Sequence, residues 1–573
     1  MKRSFLSVFV LLLTIVAATA VKAQDQQSGE GSLLPEIDPQ DIEIRSQFKA
    51  RFPGLRRQPI LGFDPTPRVY QVDPNRMPFM ETAEQVVADM PVSNLSRPEA
   101  PAYVPLHYSP DINMFSRAGI GSFMSPEVDF WGVRRLTSKS YIGGDLDYSS
   151  SSGHLDNQES SFRFLNATGE YVTKISSKNR IGFQLGVENS FNNMPNLQGL
   201  GTLDNARKKY GGFNLNADFE HFNNTISGWN VQANMRYYKI ELSNAGNLYT
   251  GSSQEEIYNG SVAKRWSGSN VDETFTVKAG AKVGRYDNNT INPQDWLTAQ
   301  AGVVYDRLFN YSTKVHADAS IYYTQNGFTD AVYIGPSLKV KHPFMEMLTL
   351  TLKAEAKPNI KSIQQLHSEN RFLAVNNNLR HSYRINGSVE AELEYNELGS
   401  MNFGVQYTNT SDRSVYIRQD GGRTTVSGES LYDFYSTTYA DTYTMRAFVG
   451  ATHQIVPEKL WVDAKFYMQS PQIKGGDRIP YEEKIGLKSG ISFRPLEQLS
   501  IEGWGDYVGS RQTFQTNEEL SGYFLLGSRA DYQITDRFGA YVKLVNLLNQ
   551  EYEVWQGYTE RSFQAYGGIT VKL

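Results

Sequence analysis

The side chains best suited to covalent chemistry lie close together near residue 150. His154 follows the serine run Ser149 to Ser152, and a serine beside a histidine can supply a nucleophile and its general base. Serine-rich loops are more commonly solvated turns, and the chain contains no GxSxG, HExxH, Walker or GxGxxG motif. We therefore expect no catalytic residue and no enzyme activity.

Acidic side chains in the same region raise the question of a metal site. They are Asp145, Asp147, Asp156 and Glu159, and their spacing is not that of a known calcium-binding loop. We interpret them as surface acidity and expect no metal and no cofactor. The absence of cysteine excludes disulfide frameworks and thiolate zinc sites. With a net charge of -5 over 573 residues, nucleic acid is not an expected partner.

A second group of candidate binding residues combines arginine with aromatic side chains. It lies in residues 24–113, which hold 13 of the 23 prolines and therefore favour extended backbone. Two interpretations stay open: a disordered periplasmic tail, or an extended peptide that docks in a barrel lumen or on a periplasmic protein. The docking candidates are Arg51, Phe52, Arg56, Arg57, Phe63, Tyr70, Arg76 and Phe79.

The chain begins with a pattern typical of export. Lys2 and Arg3 precede the apolar run Phe5 to Ala20, and Val21-Lys22-Ala23 follows it. This is the order of a signal peptide, so we predict residues 1–23 as a signal peptide cleaved near Ala23. A membrane anchor is the less favoured alternative, because the run is shorter than the ~20 residues that a spanning helix needs.

Residues 114–573 read as an all-β domain of alternating strands. About 22 strand-like runs are joined by connections that alternate between short and long, which is typical of a transmembrane antiparallel barrel with periplasmic turns and outer loops. The short connections include 177–179, 223–227, 396–400, 457–459, 495–497 and 535–537. The long connections include 192–209, 244–255, 359–378, 419–432 and 469–482.

Several of these strands have one face free of charge, as lipid contact requires. Trp229, Val231, Ala233, Met235 and Tyr237 alternate with Asn230, Gln232, Asn234 and Arg236. The same pattern recurs at 181–188, 275–284 and 384–395. A soluble all-β protein also alternates, but no repeat at a period of roughly 20 to 50 residues supports a propeller or solenoid. We therefore predict a membrane barrel.

The end of the chain carries a more specific resemblance. Phe563, Ile569, Val571 and Leu573 share one face of the last strand. Together with the run Asn546-Leu547-Leu548-Asn549-Gln550-Glu551-Tyr552, Gly557-Tyr558, Arg561 and Gly567-Gly568, this strand resembles the closing hairpin of TonB-dependent receptor barrels. The sequence departs from that pattern at Leu573, where the family usually has an aromatic residue, and at Glu560, where it has proline.

The resemblance implies a location and a role. Such barrels lie in the outer membrane of Gram-negative bacteria, contact lipid, and are inserted by the barrel-assembly machinery, with Phe563, Ile569, Val571 and Leu573 as the C-terminal barrel signal. The family places a globular plug before the barrel, whereas only residues 24–113 are available here, so we expect no compact plug. We predict transport across the outer membrane with a periplasmic partner that binds residues 24–113. The alternative is a structural or surface-interaction barrel with an occluded lumen; no substrate is identified.

A barrel of this size leaves a wide lumen unless something fills it. The connection 357–380 contains Ile363, Leu366, Phe372 and Leu373, which are unusually apolar for an outer loop. It either folds inward as a lid or is a surface loop with chance apolar residues, and both possibilities stay open.

Overall fold

The computed structural model describes residues 113–573, except 156–159, 195–206, 224–226, 244–250, 269–271, 289–293, 311, 329, 397, 425–429 and 515–517. The predicted signal peptide, the docking residues of the N-terminal segment and the expectation about a plug fall on residues 1–112. They lie outside the described residues.

The described chain is almost entirely β-strand, as the alternation of its residues predicts. The strands are β1 (Met114–Gly121), β2 (Ser125–Thr137), β3 (Ser140–Ser151), β4 (Phe162–Lys174), β5 (Asn179–Asn193), β6 (Arg207–Phe222), β7 (Gly228–Ser243), β8 (Gly251–Ser267), β9 (Glu273–Asn288), β10 (Gln294–Phe309), β11 (Thr313–Gln325), β12 (Asp330–Met345), β13 (Leu348–Ile360), β14 (His381–Asn396), β15 (Gly399–Thr424), β16 (Ser430–Val456), β17 (Leu460–Ile473), β18 (Ile485–Leu496), β19 (Leu499–Val508), β20 (Arg511–Gln512), β21 (Glu519–Leu520), β22 (Tyr523–Gln533), β23 (Phe538–Val545), β24 (Glu553–Trp555), β25 (Tyr558–Thr559) and β26 (Gln564–Lys572).

Twenty-two of these strands form one closed antiparallel sheet. Each strand pairs with its neighbours in chain order, and β1 closes the ring by pairing with both β2 and β26. The remaining strands form two small hairpins, β20 with β21 and β24 with β25. The predicted fold class, a transmembrane-type antiparallel barrel of about 22 strands, is confirmed.

The two faces of the wall differ as their sequence pattern predicts. On the outward face, Val231 of β7, Val277 of β9 and Val389 of β14 are 41%, 46% and 55% exposed, which suits contact with lipid rather than water. Their neighbours along each strand point into the lumen, because successive side chains alternate between the two faces of a sheet. A shift of register by one residue would reverse both faces of a strand.

The connections segregate to two rims, which we call periplasmic and outer. The periplasmic turns are short, for example 138–139 and 346–347, whereas outer connections include 361–380 and 546–563. The predicted strict alternation does not hold throughout, because outer connections such as 122–124 and 326–329 are also short, and most of the predicted long connection 419–432 belongs to β15 and β16. Neighbouring antiparallel strands can be joined by a few residues at either rim. An outer connection therefore needs to be long only where it extends away from the rim, as residues 361–380 do.

Helix α1 (Ile363–Glu369) lies in the connection between β13 and β14. Its start is fixed by a capping box: Ser362 Oγ accepts from the backbone N–H of Gln365, and Gln365 Oε1 accepts from the backbone N–H of Ser362. Within the described ranges, no helix is long and apolar enough to cross a membrane.

Candidate functional site

Residues 361–380, which we call the lid, connect β13 to β14 at the outer rim. Ile363 and Leu366 of α1, and Leu373 after it, are completely buried. Phe372 is buried as well. A surface loop with chance apolar residues would leave these side chains in water, so the inward-folded lid is confirmed and the surface-loop alternative is wrong.

The lid packs on the luminal face of the wall where that face changes character. Along β7, the luminal row runs through polar residues up to Arg236 and then continues with Tyr238, Ile240 and Leu242, all buried. Neighbouring strands add further buried apolar side chains at the same level. The cluster contains Met194, Tyr238, Ile240, Leu242, Ile257, Tyr286, Trp296, Ile360, Ile363, Leu366, Phe372, Leu373, Val375, Leu379, Tyr435, Tyr481 and Tyr558.

Two carboxylates hold the start of the lid against one side of the barrel. Glu255 of β8 accepts from the backbone N–H of Ile363 at 2.7 Å and from Trp296 Nε1 at 3.1 Å. Glu188 of β5 accepts from Gln364 Nε2 at 2.8 Å. The first N–H groups of a helix have no partner within the helix. Glu255 accepts from one of them, that of Ile363, and so fixes the N-terminal end of α1.

A buried lysine holds the segment that follows α1. Lys208 of β6 is 1% exposed, and its Nζ donates to the carbonyl oxygens of Arg371 at 2.9 Å and Leu373 at 2.5 Å. Lys208 therefore ties the backbone of the lid to the wall.

The opposite side of the lid contacts β16 and the last outer connection. Leu373 forms a parallel bridge with Tyr435, in which the N–H of Ala374 donates to the carbonyl of Tyr435 at 2.6 Å. The Phe372 ring stacks on Tyr558, with ring centroids 3.6 Å apart. Arg371 Nη2 lies 2.6 Å from Glu560 Oε1.

The lid therefore reaches across the lumen. Strands β6 and β16 are ten places apart in a ring of 22, close to the eleven places that separate opposite strands. The Lys208 side chain of β6 and the Tyr435 backbone of β16 contact the same short segment, Arg371 to Ala374. This arrangement lets a single connection close the outer end of a wide barrel.

The residues with possible catalytic chemistry have structural partners instead. His154 Nε2 lies 2.9 Å from the carbonyl oxygen of Thr559. Its Nδ1 lies 3.4 Å from Ser160 Oγ, so the serine that it contacts is outside the run Ser149 to Ser152. Ser160 Oγ also accepts from the backbone N–H groups of His154 and Leu155. Burial lowers the pKa of His154, so its ring stays neutral at neutral pH. The pair ties two outer connections together.

The other candidate residues divide between the barrel wall and the region outside the described residues. Asp145 and Asp147 lie on β3, whereas Asp156 and Glu159 lie outside the described residues. No group of three or more possible metal ligands occurs in the described part of the chain. In β26 and just before it, Ile569, Leu573 and Phe563 face outward and are 59%, 47% and 37% exposed, and Val571 shares their face.

Sequence reasoning missed the polar residues that hold the lid. Glu188, Lys208 and Glu255 belong to luminal rows that contain many charged residues, and nothing in their spacing singles them out. Tyr435 follows Leu373, its partner in the lid, by 62 residues in sequence (435 − 373). One signal was available: the luminal row of β7 turns from polar to apolar after Arg236, which indicates protein contact on the luminal side.

Comparisons with known proteins identify the fold. No family model matches the chain, and no curated protein sequence matches it. Among solved structures, the ferric-catecholate import receptor Fiu from E. coli, in a closed form, superposes with a TM-score of 0.59 at 9% identity, covering 81% of this chain and 82% of that chain. The FrpB iron transporter from Neisseria meningitidis gives a TM-score of 0.63 at 8% identity, covering 80% and 81%.

A third structure agrees with these two. The siderophore receptor PirA from Acinetobacter baumannii gives a TM-score of 0.61 at 11% identity, with 80% of each chain covered. Identities this low establish the fold alone. The barrel has the fold of TonB-dependent receptors, as the resemblance of its closing hairpin predicts.

Proposed function

We propose that this protein is an outer-membrane barrel of a Gram-negative bacterium that takes part in transport across that membrane, with the lid controlling the outer end of its lumen. The observation that carries the proposal is the lid itself. A dedicated connection reaches across a wide barrel and is held from both sides, by the Lys208 side chain and by the Tyr435 backbone. The import receptors and transporters with the same fold support a transport role rather than a catalytic one.

The lid can be removed without interrupting the sheet, which allows a direct test. Ile360 and His381, the residues at its two ends, are paired neighbours in β13 and β14. A four-residue turn in place of residues 361–380 should therefore leave the barrel intact. We expect this variant to conduct ions across a planar bilayer, and the full-length protein to conduct far less.

A disulfide gives a reversible version of the same test, because the natural chain has no cysteine. The positions after the Leu373–Tyr435 bridge are Ala374 and Ser436. We expect their Cα atoms to lie within the roughly 4.4–6.8 Å that a disulfide spans. The oxidised double variant Ala374→Cys, Ser436→Cys should block transport that returns on reduction, while each single-cysteine variant should be insensitive to reductant.

The second candidate function is a structural or surface-interaction barrel with an occluded lumen. It is favoured by the apolar cluster in which the lid, Tyr481 and Tyr558 pack together, because such a contact suits a permanent closure. A lid-deleted barrel that folds but stays silent in a bilayer, both with and without residues 24–113, would contradict the transport proposal and support this one.

The N-terminal segment enters as a further part of the transport proposal. We propose that residues 51–80 dock as an extended peptide on a periplasmic partner or in the barrel, through Arg51, Phe52, Arg56, Arg57, Phe63, Tyr70, Arg76 and Phe79. Protease protection in intact outer membranes that is lost on purification is the result expected for a partner. Complete sensitivity to protease in both settings would eliminate docking.

A further inference from the structure

We propose that His367 makes the lid sensitive to acid: a proton on its ring releases the lid from the wall of the barrel. The inference goes beyond the proposed function and rests on it in one respect, that a docked lid closes the outer end of the lumen. Release of the lid itself is measurable without any transported molecule.

The surroundings of His367 favour an uncharged ring. The residue lies in the last turn of α1 and is 4% exposed. Neither ring nitrogen has a hydrogen-bond partner among the described residues. A buried polar atom without a partner is costly, and a buried charge without a partner is far more costly. The neutral imidazole is therefore tolerated in the docked lid, whereas the imidazolium is not.

The charges that face His367 make protonation less favourable still. Lys208 of β6 is the nearby ionisable group that acts on its ring, and the Nζ of Lys208 is directed at carbonyl oxygens of the lid. The carboxylates of the surrounding elements already have partners: Glu188 with Gln364, Glu255 with Ile363 and Trp296, Glu369 with Lys361 and Tyr416, and Glu560 with Arg371. A proton on His367 would therefore have no unpartnered carboxylate among these residues to pair with.

The sign of the pH effect follows from this environment. Burial, and then the charge of Lys208, hold the pKa of His367 well below its ordinary value in the docked lid. In a released lid the ring meets water, where a histidine titrates near pH 6.5. Below that pH the released lid binds a proton that the docked lid excludes, so docking weakens as pH falls. Between pH 7.5 and 5.5 the proton on His367 by itself should shift the docking equilibrium about tenfold toward release, relative to a variant without a titrating ring.

Hydrogen exchange of the lid amides in the full-length protein tests the inference. For residues 361–380, the ratio of the protection factor at pH 7.5 to that at pH 5.5, corrected for the intrinsic pH dependence of exchange, should be about tenfold larger in the natural protein than in His367→Gln, whose side chain does not titrate. Other groups that the lid buries, such as Glu255, contribute to both proteins and cancel in this comparison. The matched control His154→Gln, which changes a partnered histidine of an outer connection, should give the same ratio as the natural protein.

A further variant separates charge from loss of packing. His367→Lys carries a positive charge at both pH values, so its lid should be poorly protected at both. If His367→Gln weakens docking at pH 7.5, the ratio between the two pH values still decides the question. Equal ratios in His367→Gln and in the natural protein would overturn the inference. Neither readout involves conductance, so failure of the transport proposal would be recognised separately.

Discussion

Two parts of the same luminal row on β7 differ in what they contact. From Asn230 to Arg236 the row is polar, and charged groups at this level pair within the wall, as Arg180 does with Glu220 at 2.7 Å. From Tyr238 to Leu242 the row is buried and apolar because the lid covers it. The polarity of the residues along a luminal row therefore indicates which part of the row faces water and which part contacts protein.

The largest expected effect comes from removing an apolar side chain of the lid. Leu366→Ala should weaken docking by about 2–5 kcal/mol, because a large-to-small change in a packed cluster loses buried surface and leaves a cavity. Exchange of the lid amides would measure this. Leu352→Ala is the matched control, since Leu352 of β13 faces outward and is 39% exposed. Equal effects of the two changes would mean that the apolar cluster does not hold the lid.

A smaller effect is expected from a charge on the outward face of β7. Ala233 lies midway between Trp229 and Tyr237 on that face, so Ala233→Arg should cost about 2–4 kcal/mol of unfolding free energy in lipid. Denaturant unfolding in vesicles would measure this. Gln232→Arg places the same charge in the lumen, opposite Asp218, and should be nearly neutral. Similar costs for both variants would argue against lipid contact.

The smallest effect is expected at the cap of α1. Ser362→Ala removes the Oγ that accepts from the N–H of Gln365 at 3.2 Å, and should weaken the lid by about 1 kcal/mol. Ser368→Ala, at an exposed position of the same helix, serves as the control. Amide exchange at 363–366 should rise in the first variant and stay unchanged in the second.

Residue patterns predicted the wall because its two faces meet different solvents. The contrast between apolar Val231 and polar Gln232 is enough to assign the outward and luminal faces of β7. Because the same contrast recurs in strand after strand, the sequence predicts the barrel. The apolar residues Ile363 and Leu366 likewise marked the lid, although they did not decide between an inward and a surface position.

The polar contacts of the lid could not be predicted in the same way. Lys208 and Leu373 are separated by 165 residues, and they meet only because the ring closes and brings β6 opposite β16. Whether a lysine in a luminal row faces water or a carbonyl depends on what reaches it from the far side. The residues next to Lys208 in sequence contain no information about which distant segment will contact it.

The seam between β1 and β26 has a consequence for assembly. Ser122, just after β1, and Ala565 of β26 are 443 residues apart in sequence, and the loop-closure entropy of joining such distant segments makes this one of the slowest contacts to form. Until it forms, both strands present unpaired N–H and C=O groups, which readily pair with other chains. An incomplete sheet of this size is therefore at risk of aggregation. A catalyst that covers both free edges and brings them together would shorten the time during which aggregation can occur.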